Sequence, residues 1–233
     1  MCGRYANFLT EQELIDAFEI AIVADDARLS PRYNIAPTQE AAIVVARTRE
    51  NSAAEGRSLE LARWGLVPSW AKDPSVGSRM FNARSETVAE KPSFRAAFAK
   101  RRCLVPASGY YEWRTQAGVK TPYFIHSRDE SPLAFAGLFE FWRDKVKGDD
   151  APWLASFSIV TTAARGAMEE IHDRQPVMLT RGEADAWLDP ASSPDDLMAA
   201  IAAPAPELAW HEVGREVGNV RHQGAELIAP VSG

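Results

Sequence analysis

The sequence is short of cysteine. It has 233 residues and only two of them, Cys2 and Cys103, too few for a disulfide framework or a cysteine-only zinc site. It lacks HExxH and CxxC, and it has neither a glycine-rich phosphate loop nor a GxSxG elbow. No metal or cofactor is therefore expected. Long hydrophobic runs are also missing. Ala151–Ala164, the least charged stretch, spans 14 residues and carries Ser and Thr, too short and too polar to cross a bilayer. Met1–Thr10 has no apolar core, so no secretory signal and no membrane partner are expected. A reducing cytoplasm is the natural compartment.

Basic charge is in deficit overall. The formal net charge is −6, which excludes coating nucleic acid by bulk charge. The deficit is uneven. Residues 1–102 hold 15 Lys+Arg against 13 Asp+Glu, a net of +2, and residues 103–233 hold 11 against 19, a net of −8. A local basic groove survives this sum, because screening makes nearby charges decide. The acidic second half confines such contact to one face.

What is present is an ordinary globular composition, 46% hydrophobic and 25% charged, in a chain long enough to bury a core without staples. Thr10-Glu11-Gln12-Glu13 reads as a capping box opening a helix with Leu14, Ile15 and Phe18 on one face. Ala41–Ala46, Leu59–Leu66, Cys103–Val105, Pro122–His126, Leu133–Phe139 and Phe157–Thr162 read as strands. Helices are expected near Phe94–Phe98, over Ala163–Ile171, over Ala184–Leu188 and over Pro194–Ala202. Lys145–Pro152 and Ala191–Asp196 read as loops. Leu208–Val231 reads as strand with glycine breaks. Many short strands with a few helices and no regular βαβ alternation define an α+β chain, with no break that isolates a second domain.

The first chemical feature is Met1-Cys2-Gly3-Arg4. Loss of Met1 ahead of a small residue leaves Cys2 with an amine and a thiol on adjacent carbons. With ordinary pKa values of about 8 and 8.5, both are partly reactive near neutrality. Together they add twice to one aldehyde carbon, giving an imine and then a five-membered thiazolidine. The ordinary alternative is an incidental residue at a frayed end. His172, after the expected helix, is a proton shuttle or a capping residue. Glu112, among Tyr110, Tyr111 and Trp113, is a desolvated acid–base group or an outward strand residue. Asn82 orients an amine or carbonyl, or occupies a turn. Arg4, Arg84 and Arg174 each lie within two residues of one of these, as a guanidinium set for an anion would. Trp64 and Trp70 either stack on bases or fill the core.

These fragments fall in a fixed series: Met1–Tyr5, Arg32–Pro37, Trp64–Pro68, Asn82–Thr87, Cys103–Pro106 with Gly109–Trp113, Ile171–Arg174, and Val217–Val220 with Gly224–Ile228. The series resembles the SRAP family, the SOS-response-associated peptidase-like proteins that crosslink to abasic sites in single-stranded DNA, and it covers essentially the whole chain. The resemblance implies one domain over residues 1–233, with a barrel-like, mostly antiparallel sheet core and flanking helices. Cys2 would be the crosslinking nucleophile. Asn82 would position its amine, Glu112 would move protons, and His172 would be the acid–base partner near the sugar. Arg4, Arg84 and Arg174 would hold phosphates, and Pro37 and Trp70 would line the DNA-facing surface. The partner would be single-stranded DNA with abasic sites, bound by a monomer that sits in the cytoplasm, at the nucleoid when engaged. Two other classes stay open. One is a thiol hydrolase, peptidase-like with self-removal of Met1 or glutamine-amidotransferase-like. The other is a noncovalent single-strand binder.

Overall fold

Alternation along the strand Glu40–Arg47 sets the plan of the fold. Ala42 and Val44 join one hydrophobic cluster, with Leu14, Phe98, Trp187 and Ile201 from the helices. Ala41, Ile43 and Val45 join another, with Cys2, Tyr5, Tyr110 and Ile125. Side chains alternate across a strand, so a continuous apolar run signals a wall buried on both faces.

A computed structural model describes residues 2–24, 29–48, 55–148 and 150–231. In chain order these form β1 (Tyr5–Asn7), α1 (Glu11–Phe18), β2 (Ile20–Val23), β3 (Arg32–Ile35), β4 (Glu40–Arg47), β5 (Gly56–Trp64) and β6 (Asn82–Arg84). There follow α2 (Arg95–Lys100), β7 (Arg102–Ala107), β8 (Gly109–Gln116), β9 (Val119–Ser127), β10 (Leu133–Trp142) and β11 (Leu154–Ala163). The chain ends with β12 (Arg174–Pro176), α3 (Arg181–Leu188), α4 (Pro194–Ala202) and β13 (Leu208–Glu212). The barrel wall runs β11-β10-β7-β4-β5 through antiparallel pairs. It closes where β5 meets β11 in parallel, Arg63 beside Ser156 and Trp64 beside Phe157. An odd ring of strands cannot alternate direction all the way round, so one parallel seam is required. A second, antiparallel sheet, β13-β9-β8-β1-β3, packs against this wall through Tyr5, whose ring meets Trp64 and Phe135 edge-on. The expected α+β fold with a mostly antiparallel barrel core is what the chain forms.

The loop between β5 and β6 depends on two glycines. Gly65 has φ +129, a conformation that L side chains rarely adopt. A Cβ on it would lie 2.5 Å from the Gly77 carbonyl oxygen, and one on Gly77 would lie 2.4 Å from the Gly65 oxygen. This close approach, with Leu66 N–H donating to the Met80 oxygen at 3.1 Å, folds residues 66–80 back so that β6 lands beside β11.

The capping box is present as expected, with Thr10 and Glu13 bonding each other's main-chain N–H groups. Several expectations need correction. Ala163–Ile171 is not an α-helix: Ala163 still belongs to β11, Gly166 has φ +58, and only a 3₁₀ turn forms over Gly166–Glu170. The segment Leu208–Val231 is strand only as far as Glu212, then forms 3₁₀ turns at Arg215–Gly218 and Ala225–Ile228. The Ala191–Asp196 loop stops at Ser193, which caps α4. A 3₁₀ turn at Lys145–Lys147 interrupts the Lys145–Pro152 loop, of which residue 149 lies outside the described residues. Among the described residues, no helix is long and apolar enough to cross a membrane.

Candidate active site

Strand register brings Glu112 to Cys2. β1 pairs with β8 at Tyr5–Tyr110 and Ala6–Gly109, and Tyr111 N–H donates to the Arg4 oxygen at 2.9 Å. Continuing that antiparallel register sets Glu112 opposite Gly3, next to Cys2. Both side chains are buried. Burial pushes the Glu112 carboxyl above the ordinary carboxylate range, with His172 pulling the other way. Burial also pushes the Cys2 thiol far above its usual value. The Glu112 charge adds to that shift and an Arg4 main-chain N–H bond opposes it. Burial thus favours the protonated thiol while residue 1 is attached.

β6 delivers Asn82. It pairs in parallel with β11, Asn82 beside Ile159, Ala83 beside Val160 and Arg84 beside Thr161. The Asn82 Nδ2 donates to the Cys2 carbonyl oxygen at 2.8 Å. Its Oδ1 is buried without a hydrogen-bond partner, and an orphaned acceptor beside Cys2 matches an amine hydrogen there.

His172 completes the group from the other side. Its main-chain N–H closes the 3₁₀ turn onto the Met168 oxygen at 3.0 Å. Its Nε2 stands 4.0 Å from Glu112 Oε2. A 3₁₀ turn precedes the ring in place of the expected helix, and two carboxylates, Glu112 and Asp173, neighbour it. The ring Nδ1 lies 2.9 Å from the Arg174 main-chain N–H and 2.8 Å from Asp173 Oδ1. The amide can only donate, which favours a neutral ring that accepts at Nδ1, whereas the Asp173 carboxylate favours a proton there. An imidazolium would instead donate from Nδ1 to Asp173. Each protonation state of the ring has its own partner.

The arginines divide. Arg84 is exposed two residues along β6 from Asn82, on the same strand face. Arg4 is turned inward: Nη1 donates to Asn34 Oδ1 at 2.8 Å and to the Val217 oxygen at 2.7 Å, with the guanidinium 5.9 Å from the Trp113 ring centroid. Arg174 forms a two-pronged ion pair with Glu86. Pro37 is half-buried, and Trp70 is 60% exposed. Trp64 is fully buried, its Nε1 donating to the Phe81 oxygen at 2.8 Å, so it fills the core and does not stack on bases. Sequence reasoning gave no role to Asn34, Glu86 or Asp173. Their signal was present, since each lies inside one of the ordered motifs, but nothing local tells an internal partner from a ligand contact. Among the described residues no cluster of His, Cys, Asp and Glu could hold a metal ion.

A closed five-stranded barrel holds Cys2 buried beside Asn82 and Glu112, with the His172 ring 4.0 Å from the Glu112 carboxylate. The chain belongs to the SOS response associated peptidase (SRAP) family, whose model matches residues 1–220. It is 36% identical over 231 residues to the abasic site processing protein YoqW of Bacillus subtilis, covering 98% of this chain and 99% of that one. It is 33% identical over 241 residues to the abasic site processing protein YedK of Escherichia coli, covering 99% and 100%. A crystal structure of a Bacteroides thetaiotaomicron protein shares the fold, with a TM-score of 0.80 at 24% identity over 98% of this chain and 100% of that one.

Proposed function

We propose that this protein captures abasic sites in single-stranded DNA by a covalent bond to Cys2. The observation that carries the reading is the placement of Asn82 and Glu112 beside residue 2, with His172 4.0 Å from Glu112; residue 2 needs only loss of Met1 to present an α-amine. Relatives named abasic site processing proteins support the same lesion as substrate.

The chemistry follows from the groups. An abasic deoxyribose equilibrates between a closed hemiacetal and a small open aldehyde fraction. His172 and Glu112 relay protons between the hemiacetal hydroxyl and the ring oxygen, which speeds opening. The Cys2 amine adds to C1′, giving a carbinolamine. Glu112, whose carboxyl pKa burial raises, donates to the departing hydroxyl in its protonated form, and water leaves an imine. The thiol then adds across the C=N bond. Sulfur bonds to C1′, its proton ends on nitrogen, and the product is a thiazolidine. A neutral thiol suits this step, because it brings the proton that the nitrogen needs. Asn82 fixes the Cys2 carbonyl and offers Oδ1 to the amine. Holding the strand beside the nucleophile makes a slow condensation local. Single-stranded substrate spares the cost of extracting the sugar from a duplex. Arg84 and Trp70 supply the exposed phosphate and base contacts, with Pro37 at their edge.

The family name supports one hydrolytic event, removal of Met1 by self-processing. Intact mass after incubation with an abasic oligonucleotide tests the reading. Protein lacking Met1 should gain the oligonucleotide mass less one water, mapped to Cys2. A heat-stable adduct formed equally by Cys2→Ser would exclude the thiazolidine.

A further inference from the structure

We propose that Glu86 is a positioning residue for this chemistry, acting through Arg174 to fix the orientation and tautomer of His172. The inference rests on the proposed acid–base role of His172.

Glu86 lies two residues beyond the end of β6, and Arg174 opens β12. Arg174 Nη1 donates to Glu86 Oε1, and Nη2 donates to Oε2 at 3.0 Å. The same Nη2 donates to the Thr161 carbonyl at 2.7 Å and lies 3.3 Å from its Oγ1. Thr161 is where the two strands meet on their common neighbour: β6 pairs with β11 at Ile159–Thr161, and β12 pairs with it at Thr161–Ala163. The ion pair therefore crosses β11 as a strap. It ties the strand bearing Asn82 to the strand that starts two residues after His172.

The strap sets the ring through the main chain. Arg174 N–H reaches His172 Nδ1 at 2.9 Å, against Asp173 Oδ1 at 2.8 Å; a firmly placed amide tips the neutral ring toward a proton on Nε2, facing Glu112. If Arg174 loses its anchor, only the pairing of β12 with β11 holds that amide, and the preference for one tautomer weakens. The guanidinium side chain is only 12% exposed, and both its terminal nitrogens are engaged. In the free protein this geometry makes Arg174 a fixed anchor. Glu86 is 50% exposed, so its pair adds little stability and its substitution leaves a folded protein. The hydrogen bond to Arg174 holds the Glu86 carboxyl below the usual range, so the strap is charged at neutral pH.

The test compares the parent with Glu86→Gln, Glu86→Asp and Arg174→Lys. Long-range ¹⁵N–¹H spectra of the free protein read the His172 tautomer. Single-turnover kinetics with a saturating abasic oligonucleotide read the adduct rate, and an intact oligonucleotide of the same sequence reads noncovalent Kd. The expected result for Glu86→Gln and Arg174→Lys is a mixed tautomer and an adduct rate lower by about tenfold, a modest share of what ~1 Å of misplacement costs. Kd should not change for Glu86→Gln, and Glu86→Asp should restore part of the rate. An unchanged tautomer and rate in Glu86→Gln would overturn the proposal. So would tighter binding with a faster adduct, which would make Glu86 a plug on a phosphate site. If the parent forms no adduct, the capture reading fails alone, and the ring spectra still decide whether the strap orients His172.

Discussion

Arg4 Nη1 donates to Asn34 Oδ1 at 2.8 Å, and Asn34 is the pin on which the amino-terminal strand and the carboxy-terminal turns are hung. Its Nδ2 lies 3.0–3.2 Å from the carbonyls of Val217, Asn219 and His222, and its own carbonyl accepts from Gln223. Asn34 is fully buried. Asn34→Ala would strand Arg4 and several carbonyls, at a cost of about 3 kcal/mol. Urea unfolding should show this destabilisation, with slower adduct formation because Arg4 flanks Cys2.

Glu112 links function to pH. Burial raises its carboxyl pKa in the folded state. Its contribution to stability is therefore greatest below the unfolded pKa and is lost as pH rises through the folded value. Glu112→Gln has no such charge to bury. The variant should melt above the parent near neutral pH, and the gap should vanish below the ordinary carboxylate range. Its adduct rate should fall at every pH. Thermal melts across pH, paired with adduct kinetics, check both.

Gly77→Ala should damage the fold and the site together. The added carbon would meet the Gly65 oxygen at 2.4 Å, a backbone clash with a cost of about 3 kcal/mol. Urea unfolding measures it. Because the 66–80 loop feeds β6, the adduct rate of the folded fraction should fall as well, through displacement of Asn82.

Arg84→Ala should weaken intact single-stranded DNA binding and reduce the log–log salt slope by about 0.7 for each phosphate that Arg84 neutralises. Trp70→Ala should cost about 1–3 kcal/mol of binding if a base stacks there. Fluorescence anisotropy over a salt series separates the two effects.

The residues that gather near Cys2 were legible because they fall in motifs with unusual local grammar: an amino-terminal Cys-Gly, aromatic residues around Glu112, a His beside Asp and Arg. The strands were legible where both faces are buried, as in Ala41–Ala46. Ring closure was not. The parallel seam of Trp64 beside Phe157 joins distant segments, and nothing local encodes it. The expected helix over Ala163–Ile171 failed for a definite reason. Met168 and Ile171, both buried, have a three-residue spacing that a 3₁₀ turn satisfies as well as an α-helix. Arg4 and Arg174 were legible as guanidinium groups beside the site, but their internal partners, the Asn34 side chain, the Val217 carbonyl and Glu86, were not, because a guanidinium reads the same whatever it faces.

β11 pairs with four neighbours, β5, β6, β10 and β12. Asn82 and the stretch after His172 are thus laid on one rail whose middle is a stave of the sealed ring. Such a rail cannot fray from an end, since a closed ring offers none there. The spacing between these two groups is inherited from that ring, so amide exchange along β11 should be among the slowest in the molecule.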